Sequence, residues 1–234
     1  MKLGHGNGIF DTTGRVAEPV YAHDSKSCPA RVEGSIPSSP TMKHLDRVAL
    51  AYLIGVALGD GNLSNPNGRA VRLRVTCCLD YPQIASEIER SIRILLPRNR
   101  VSIVRKGSAR CVDLCVYSNT LAEWMPWRAG SGSKIEQNAH APAWIYDNPE
   151  YMKACLRGLF QTDGCIYTDR GYRMMHFTNT IRDLAQDAHR MLIELGFRPS
   201  ISQVPTGKRD KYVVRLARKD EVPKALDLLA LYKA

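Results

Sequence analysis

The 234-residue sequence predicts an α+β protein built from two pseudo-symmetric αββαββα units behind an irregular head segment. Three observations predict it. A glycine-bearing apolar segment ending in Asp-Gly occurs twice; each copy is followed by an alternating, strand-like stretch; and each stretch is followed by a helix, two more strand-like pieces and a closing helix, in the same order.

The repeated segment runs from Tyr52 to Gly61 and again from Cys155 to Gly164. In the first copy Leu53, Val56 and Asp60 share one helical face, and Gly55 and Gly59 lie four apart, so that face lets another helix approach closely. Gly158 and Thr162 repeat the spacing. Val71 to Cys77 then alternates as a strand does, and Tyr172 to Asn179 matches it. Helices are predicted over Pro82 to Leu96 and Ile181 to Leu195. Strand pairs follow, Val101 to Val104 with Cys111 to Tyr117, and Ser200 to Val204 with Tyr212 to Ala217. Each pair is joined by a basic turn, around Arg105-Lys106-Gly107 and Gly207-Lys208-Arg209. Closing helices fall at about Thr120 to Trp124 and Pro223 to Leu231. The units therefore span 45–130 and 149–234, joined by a connector at 131–148 that begins Ser131-Gly132-Ser133. Residues 1–44, rich in Gly, Pro and Ser, read as an extended N-terminal segment.

Composition narrows the function. The net charge of +10 divides as +1 over 1–44, +5 over 45–130 and +4 over 131–234, so both units are basic, which suits a polyanionic partner. Seven cysteines without a C-x-x-C pair form neither a disulfide framework nor a zinc ribbon. The longest apolar stretch, Val48 to Leu58, is too short to span a bilayer, and no secretion signal opens the chain, so a soluble intracellular protein is expected.

Asp60 and Asp163 carry the sharpest chemistry. If the two repeated helices pack together, both carboxylates arrive at the same end. A carboxylate at a helix C-terminus opposes the macrodipole, and two side by side repel. A cation must compensate, and a hard divalent ion fits. Mg²⁺ is the natural choice where phosphate supplies further oxygen ligands. There it would activate water and stabilise charge developing on the phosphate.

These paired segments, with the strands and helices that follow them, resemble the LAGLIDADG homing endonucleases of the two-motif, monomeric type, over about residues 45–234. The resemblance implies antiparallel sheets forming a DNA-binding saddle, packed through the two motif helices. It implies a site-specific endonuclease that cuts both strands of a long DNA target and leaves a short stagger. Asp60 and Asp163 would bind the metals with the backbone carbonyls of Gly59 and Thr162. Gly132-Ser133-Lys134, followed by Pro142-Ala143-Trp144, resembles the stretch that gives the family its basic residue near the scissile phosphate, so Lys134 takes that role. Lys233 is the counterpart in the second copy. Polar residues ordering water align with Cys77 and Asn179. Asn179 is chemically apt, whereas Cys77 departs from the pattern.

For reading DNA, alternation puts Arg72, Arg74 and Thr76 on one face of their strand and Val71, Leu73 and Val75 on the other. Arginine at that spacing can take guanine O6 and N7 together. Arg69, Arg105, Lys106 and Arg110, placed in turns, suit phosphates. The second copy offers Tyr172, His176, Gln203, Lys208, Arg209 and Lys211. These two sets differ, so a weakly palindromic target is expected. The same fold and charge also suit a splicing maturase that binds intron RNA, or a DNA-binding regulator that does not cut. The chain begins with Met1 and lacks a His-Asn ending, so a complete self-splicing intein is not expected.

Overall fold

A computed structural model describes residues 45–105 and 110–231; the expected head segment, Lys106 and Lys233 lie outside the described residues. The first helix, α1 (Arg47–Asp60), starts where the Asp46 carboxylate accepts the Ala49 N–H at 2.9 Å, satisfying a first-turn donor. From Ala49 to Leu58 every residue is buried. A helix apolar on all sides belongs at the centre of a fold, and α1 packs against α4 (Pro149–Asp163), α2 (Pro82–Leu95) and β2 (Arg72–Cys78). Its partner α4 is started by Asn148, whose side chain accepts the Glu150 N–H, with Pro149 in the first turn.

The α1–α4 contact is tight because small residues line it. A Cβ on Gly158 would lie 2.6 Å from Tyr52 O and from Val56 N, and one on Gly55 would collide with the Cys155 carbonyl. These are backbone obstacles that cannot swing away. Polar groups seal one flank of the helix pair: the Tyr52 hydroxyl donates to Gln161 Oε1 at 2.6 Å, Gln161 Nε2 donates to Glu87 on α2, and Arg157 pairs with Glu87 at 2.9 Å.

Each repeat folds its strands into a four-stranded antiparallel sheet. The first has the order β1-β2-β4-β3, from β1 (Gly61–Ser64), β2, β3 (Ser102–Arg105) and β4 (Cys111–Tyr117). The second repeats that order with β5 (Gly164–Asp169), β6 (Tyr172–Asn179), β8 (Lys211–Leu216) and β7 (Ser200–Val204). One face of each sheet packs on helices. Leu73, Val75, Leu114 and Val116 are buried there in the first sheet, as are Met175, Phe177, Val214 and Leu216 in the second, against α5 (Arg182–Glu194).

The sequence misplaces some details. The first closing helix, α3, is Leu121–Trp124, but the second, α6, is Glu221–Leu228, two residues earlier than expected. Proline marked the start in the sequence, yet any of the first positions tolerates it, because their N–H groups have no intrahelical acceptor. The helix ends early as Ala230 turns to φ 45° and Leu231 N–H returns to Leu226 O. The connector holds an unexpected 3-10 helix at Ala143–Asp147. No helix among the described residues is long and apolar enough to cross a membrane.

Candidate active site and nucleic-acid interface

The ends of α1 and α4 meet. A Cβ on Gly59 would strike Thr162 Oγ1, so these two positions, each preceding an aspartate, face one another. Asp60 and Asp163 therefore close the same end of the helix pair, Asp60 exposed and Asp163 half-buried. Asn179, the last residue of β6, donates from Nδ2 to Asp163 at 2.9 Å and accepts the Ile181 N–H on its Oδ1. That pair of hydrogen bonds fixes the amide and with it the carboxylate. In the first repeat Cys77 takes the equivalent place beside Asp60. Its thiol is pushed up to about 12 by burial, with Asp60 and then Asp113 adding to the shift, so it stays neutral. A cavity of about 50 Å³, room enough for water, opens among Asp60, Cys77, Thr76, Gln161 and Thr162.

Lys134 reaches the site from the connector. Its Nζ donates to the carbonyls of Ala57 at 3.1 Å and Leu58 at 2.7 Å, and to that of Gly59, while lying 5.5 Å from the centre of the Trp127 ring. The ammonium thus caps the C-terminus of α1, where a cation is favoured. Burial lowers its pKa to about 8 against the pull of Asp163 and then Asp60. The Gly59 carbonyl, expected as a metal ligand, accepts from this lysine. Thr162 turns its hydroxyl back to the Gly158 and Leu159 carbonyls, both at 3.0 Å.

No group of three or more His, Cys, Asp or Glu side chains that could hold a metal occurs among the described residues. Two carboxylates close the C-termini of two packed helices, and both raise the pKa of Lys134 against its burial. This donor set fits a hard cation that takes one or two carboxylates and draws its other oxygens from water and phosphate.

The outer faces of the sheets lie opposite the helix layer. On β2 they carry Arg72, Arg74 and Thr76, as the alternation predicts. Arg72 Nε donates to Ser64 Oγ at 3.1 Å. Thr76 donates to Asp113 Oδ1 at 2.8 Å, and Arg74 lies 3.9 Å from Asp113 Oδ2. Asp113, only 3% exposed, is a site residue that the sequence reading missed. An acid inside the otherwise apolar run Cys111 to Tyr117 was the available signal. Arg69 is exposed ahead of β2. Arg110 is ion-paired to Asp80 at 2.5 Å, and Arg105 is the last residue of β3 rather than part of a turn.

In the second sheet Tyr172 and His176 take the outer face of β6, and Tyr167 packs edge-on to the His176 ring with centroids 5.2 Å apart. Burial, then the nearby Arg215, lowers the His176 pKa, and its buried Nδ1 makes no hydrogen bond among the described residues. Arg215 pairs directly with His176 across the ladder and was also missed, although the alternation Lys211, Val213, Arg215 pointed to it. Lys211 shares that face, and Lys208 and Arg209 are exposed in the β7–β8 turn. Gln203 requires a correction. It pairs with Tyr212, which has the parity of the buried Val214, so Gln203 is on the helix side, while Ser202 and Val204 take the outer face.

Fold and site together define a two-repeat α+β protein with paired acids at the seam of two basic sheets. Residues 150–229 match the family of LAGLIDADG-like domains. Among solved structures, the chain resembles I-DmoI in complex with DNA and Mn, at 21% identity and a TM-score of 0.56 over 80% of this chain and 98% of that one. It also resembles the N-terminal LAGLIDADG domain of DUF199/WhiA, at 12% identity and a TM-score of 0.53 over 80% and 84% of the two chains. Curated relatives include a DNA polymerase of Thermococcus sp. (strain GE8), 29% identical over 66% of this chain and 9% of that protein. Another is the tRNA-splicing ligase RtcB of Methanopyrus kandleri, 24% identical over 76% of this chain and 20% of that protein. The chain thus spans a fifth or less of the curated relatives it matches. Residues 150–229 thus carry a LAGLIDADG-like domain, and the chain as a whole has the fold of these two-repeat structures.

Proposed function

We propose that this chain is a site-specific endonuclease that hydrolyses both strands of a long, weakly palindromic DNA duplex with Mg²⁺, leaves a short stagger and works as a monomer. One observation carries the reading: equivalent acids from two repeats, Asp60 and Asp163, arrive at one helix seam between two sheets with basic outer faces. Hydrolysis of two strands needs two such half-sites, and a single chain supplies both.

Asp60 and Asp163 hold the divalent cation, with the Thr162 carbonyl within reach of the same seam. When bound, the cation supplies Lewis-acid stabilisation of charge on the scissile phosphate. Asn179 keeps the Asp163 carboxylate oriented through its 2.9 Å hydrogen bond. Lys134 holds positive charge close to both acids and can turn from the α1 carbonyls toward a phosphate oxygen. Arg72, Arg74, Thr76, Tyr172, His176, Lys211 and Arg215 face the bases and sugars, while Arg69, Arg105, Arg110, Lys208 and Arg209 serve the phosphates. Unequal reading faces make the two half-sites of the target different.

Two comparisons support this reading. I-DmoI is described as a homing endonuclease and has been crystallised with DNA and Ca or Mn. The curated relatives have unrelated names, a polymerase, a ligase and a ribonucleoside-diphosphate reductase subunit, and each matches 65–76% of this chain over 9–20% of its own length. One segment recurring within unrelated hosts is what a self-mobilising element leaves behind.

The test is selection of cut sites from a randomised duplex library by purified protein, with Mg²⁺ and with EDTA. Recovery of one long, imperfectly palindromic site only with metal is expected. Tight sequence-specific binding with no cutting under either condition would overturn the endonuclease in favour of a DNA-binding regulator.

A further inference from the structure

Cys78 ends β2, Cys111 begins β4, and the ladder sets them directly opposite one another. The kind of pair they form follows from hydrogen bonds at the two ends of that ladder. Ser118 N–H donates to Val71 O at 2.9 Å, and Leu79 N–H donates to Arg110 O at 3.0 Å. Hydrogen-bonded and non-hydrogen-bonded pairs alternate along an antiparallel ladder. With 71/118 and 79/110 hydrogen-bonded, the pairs at the even positions of β2, Cys78 and Cys111 among them, are non-hydrogen-bonded.

In such pairs the Cα atoms stand about 4.5 Å apart and the side chains approach most closely. A disulfide needs Cα atoms about 4.4–6.8 Å apart with both Cβ atoms on one side. Directly opposed residues share a face, and both thiols project from the outer face of the first sheet. Cys78 is exposed and Cys111 half-buried, so a small reagent can reach the pair. Neighbouring thiols cannot compete: Cys77 is buried on the helix face, and Cys115 stands opposite Arg74 farther along β4.

We propose that Cys78 and Cys111 form a redox-modifiable pair that closes reversibly into a cross-strand disulfide on the outer face of the first sheet. With oxidised glutathione as oxidant, the Cys78 thiolate attacks one glutathione sulfur, forming a mixed disulfide and releasing one glutathione thiol. The Cys111 thiolate then attacks the Cys78 sulfur and expels the second. The protein loses two protons and two electrons, and one oxidised glutathione becomes two reduced ones. The bond covalently closes residues 79–110, which include α2 and β3. The pair is independent of the cleavage reading, since it rests on strand register alone.

The test uses the full chain, fully reduced, folded, and treated with oxidised glutathione. Remaining thiols are then blocked with iodoacetamide and the protein is mapped by peptide mass spectrometry. A cross-linked peptide joining Cys78 to Cys111 is expected, abolished by dithiothreitol and absent in Cys78→Ser and Cys111→Ser, each a near-isosteric change at an accessible position. The oxidised wild type should also melt at a higher temperature than the reduced protein, whereas neither serine variant should shift. Glutathione left on both cysteines without a cross-link, or a cross-link from Cys77, would overturn the proposal.

Discussion

Lys134 Nζ donates to the Leu58 carbonyl at 2.7 Å across 76 residues of sequence, and in doing so closes the C-terminus of the helix that carries Asp60. One side chain therefore stabilises the central helix and holds a positive charge beside both acids. The two roles can be separated by substitution.

Lys134→Met should lower the unfolding free energy by about 1–3 kcal/mol, because carbonyls lose a charged donor that no neighbour replaces. It should also abolish cleavage while leaving target binding within a few-fold of wild type. Urea unfolding, gel-shift titration and cleavage assays check the three effects. Wild-type cutting by a destabilised Lys134→Met would make this lysine a helix cap alone.

Asp60→Asn and Asp163→Asn should each stop double-strand cleavage without unfolding the protein, since each keeps the size of the side chain and one oxygen acceptor. Thermal denaturation without metal reads the stability, and supercoiled plasmid carrying the selected site reads the cutting. Either variant cutting at the wild-type rate with Mg²⁺ would refute the metal assignment.

Gly55→Ala should cost about 1–3 kcal/mol or more, since its Cβ would collide with the Cys155 carbonyl and α1 would have to back away from α4. Gly171→Ala is a useful contrast. Gly171 lies at φ 83° with nothing near a Cβ, so its cost is backbone strain in an exposed turn, and only Gly55→Ala should alter both stability and cleavage. Chemical unfolding of both variants tests this.

Cys155 predicts a pH dependence. Burial, with Asp187 adding to it, raises its folded pKa above the ordinary 9.0. The unfolded thiol therefore loses its proton first, so the stabilisation is complete below pH 9.0 and declines as pH rises above it, by up to about 1.4 kcal/mol per pH unit. Urea midpoints measured upward from pH 8 should fall less steeply in Cys155→Ala than in wild type. Parallel profiles would exclude this thiol as the source.

Arg74→Ala should weaken binding to the selected site by about 1–3 kcal/mol and relax discrimination at one base pair. Lys208→Ala should weaken binding evenly across sequences and reduce the slope of log affinity against log salt by about 1. Binding isotherms across a panel of single-base variants and salt concentrations distinguish base reading from phosphate contact.

Much of this architecture was legible in the chain because it is written in local periods. Helical spacing around Gly55 and Gly158, strand alternation from Arg72 to Thr76, and the doubled Asp-Gly led to the two repeats, the helix seam and the paired acids. Those signals depend only on residues a few positions apart, and the second copy confirms the first. What the sequence could not specify depends on partners distant along the chain. A connector lysine became the cap of α1, Asp113 came to sit between Arg74 and Thr76, and Gln203 turned to the helix side. Cys78 likewise gained Cys111 as its neighbour. Each of these follows from strand register or helix contact, and a shift of one residue in pairing would send the same side chains to the opposite face.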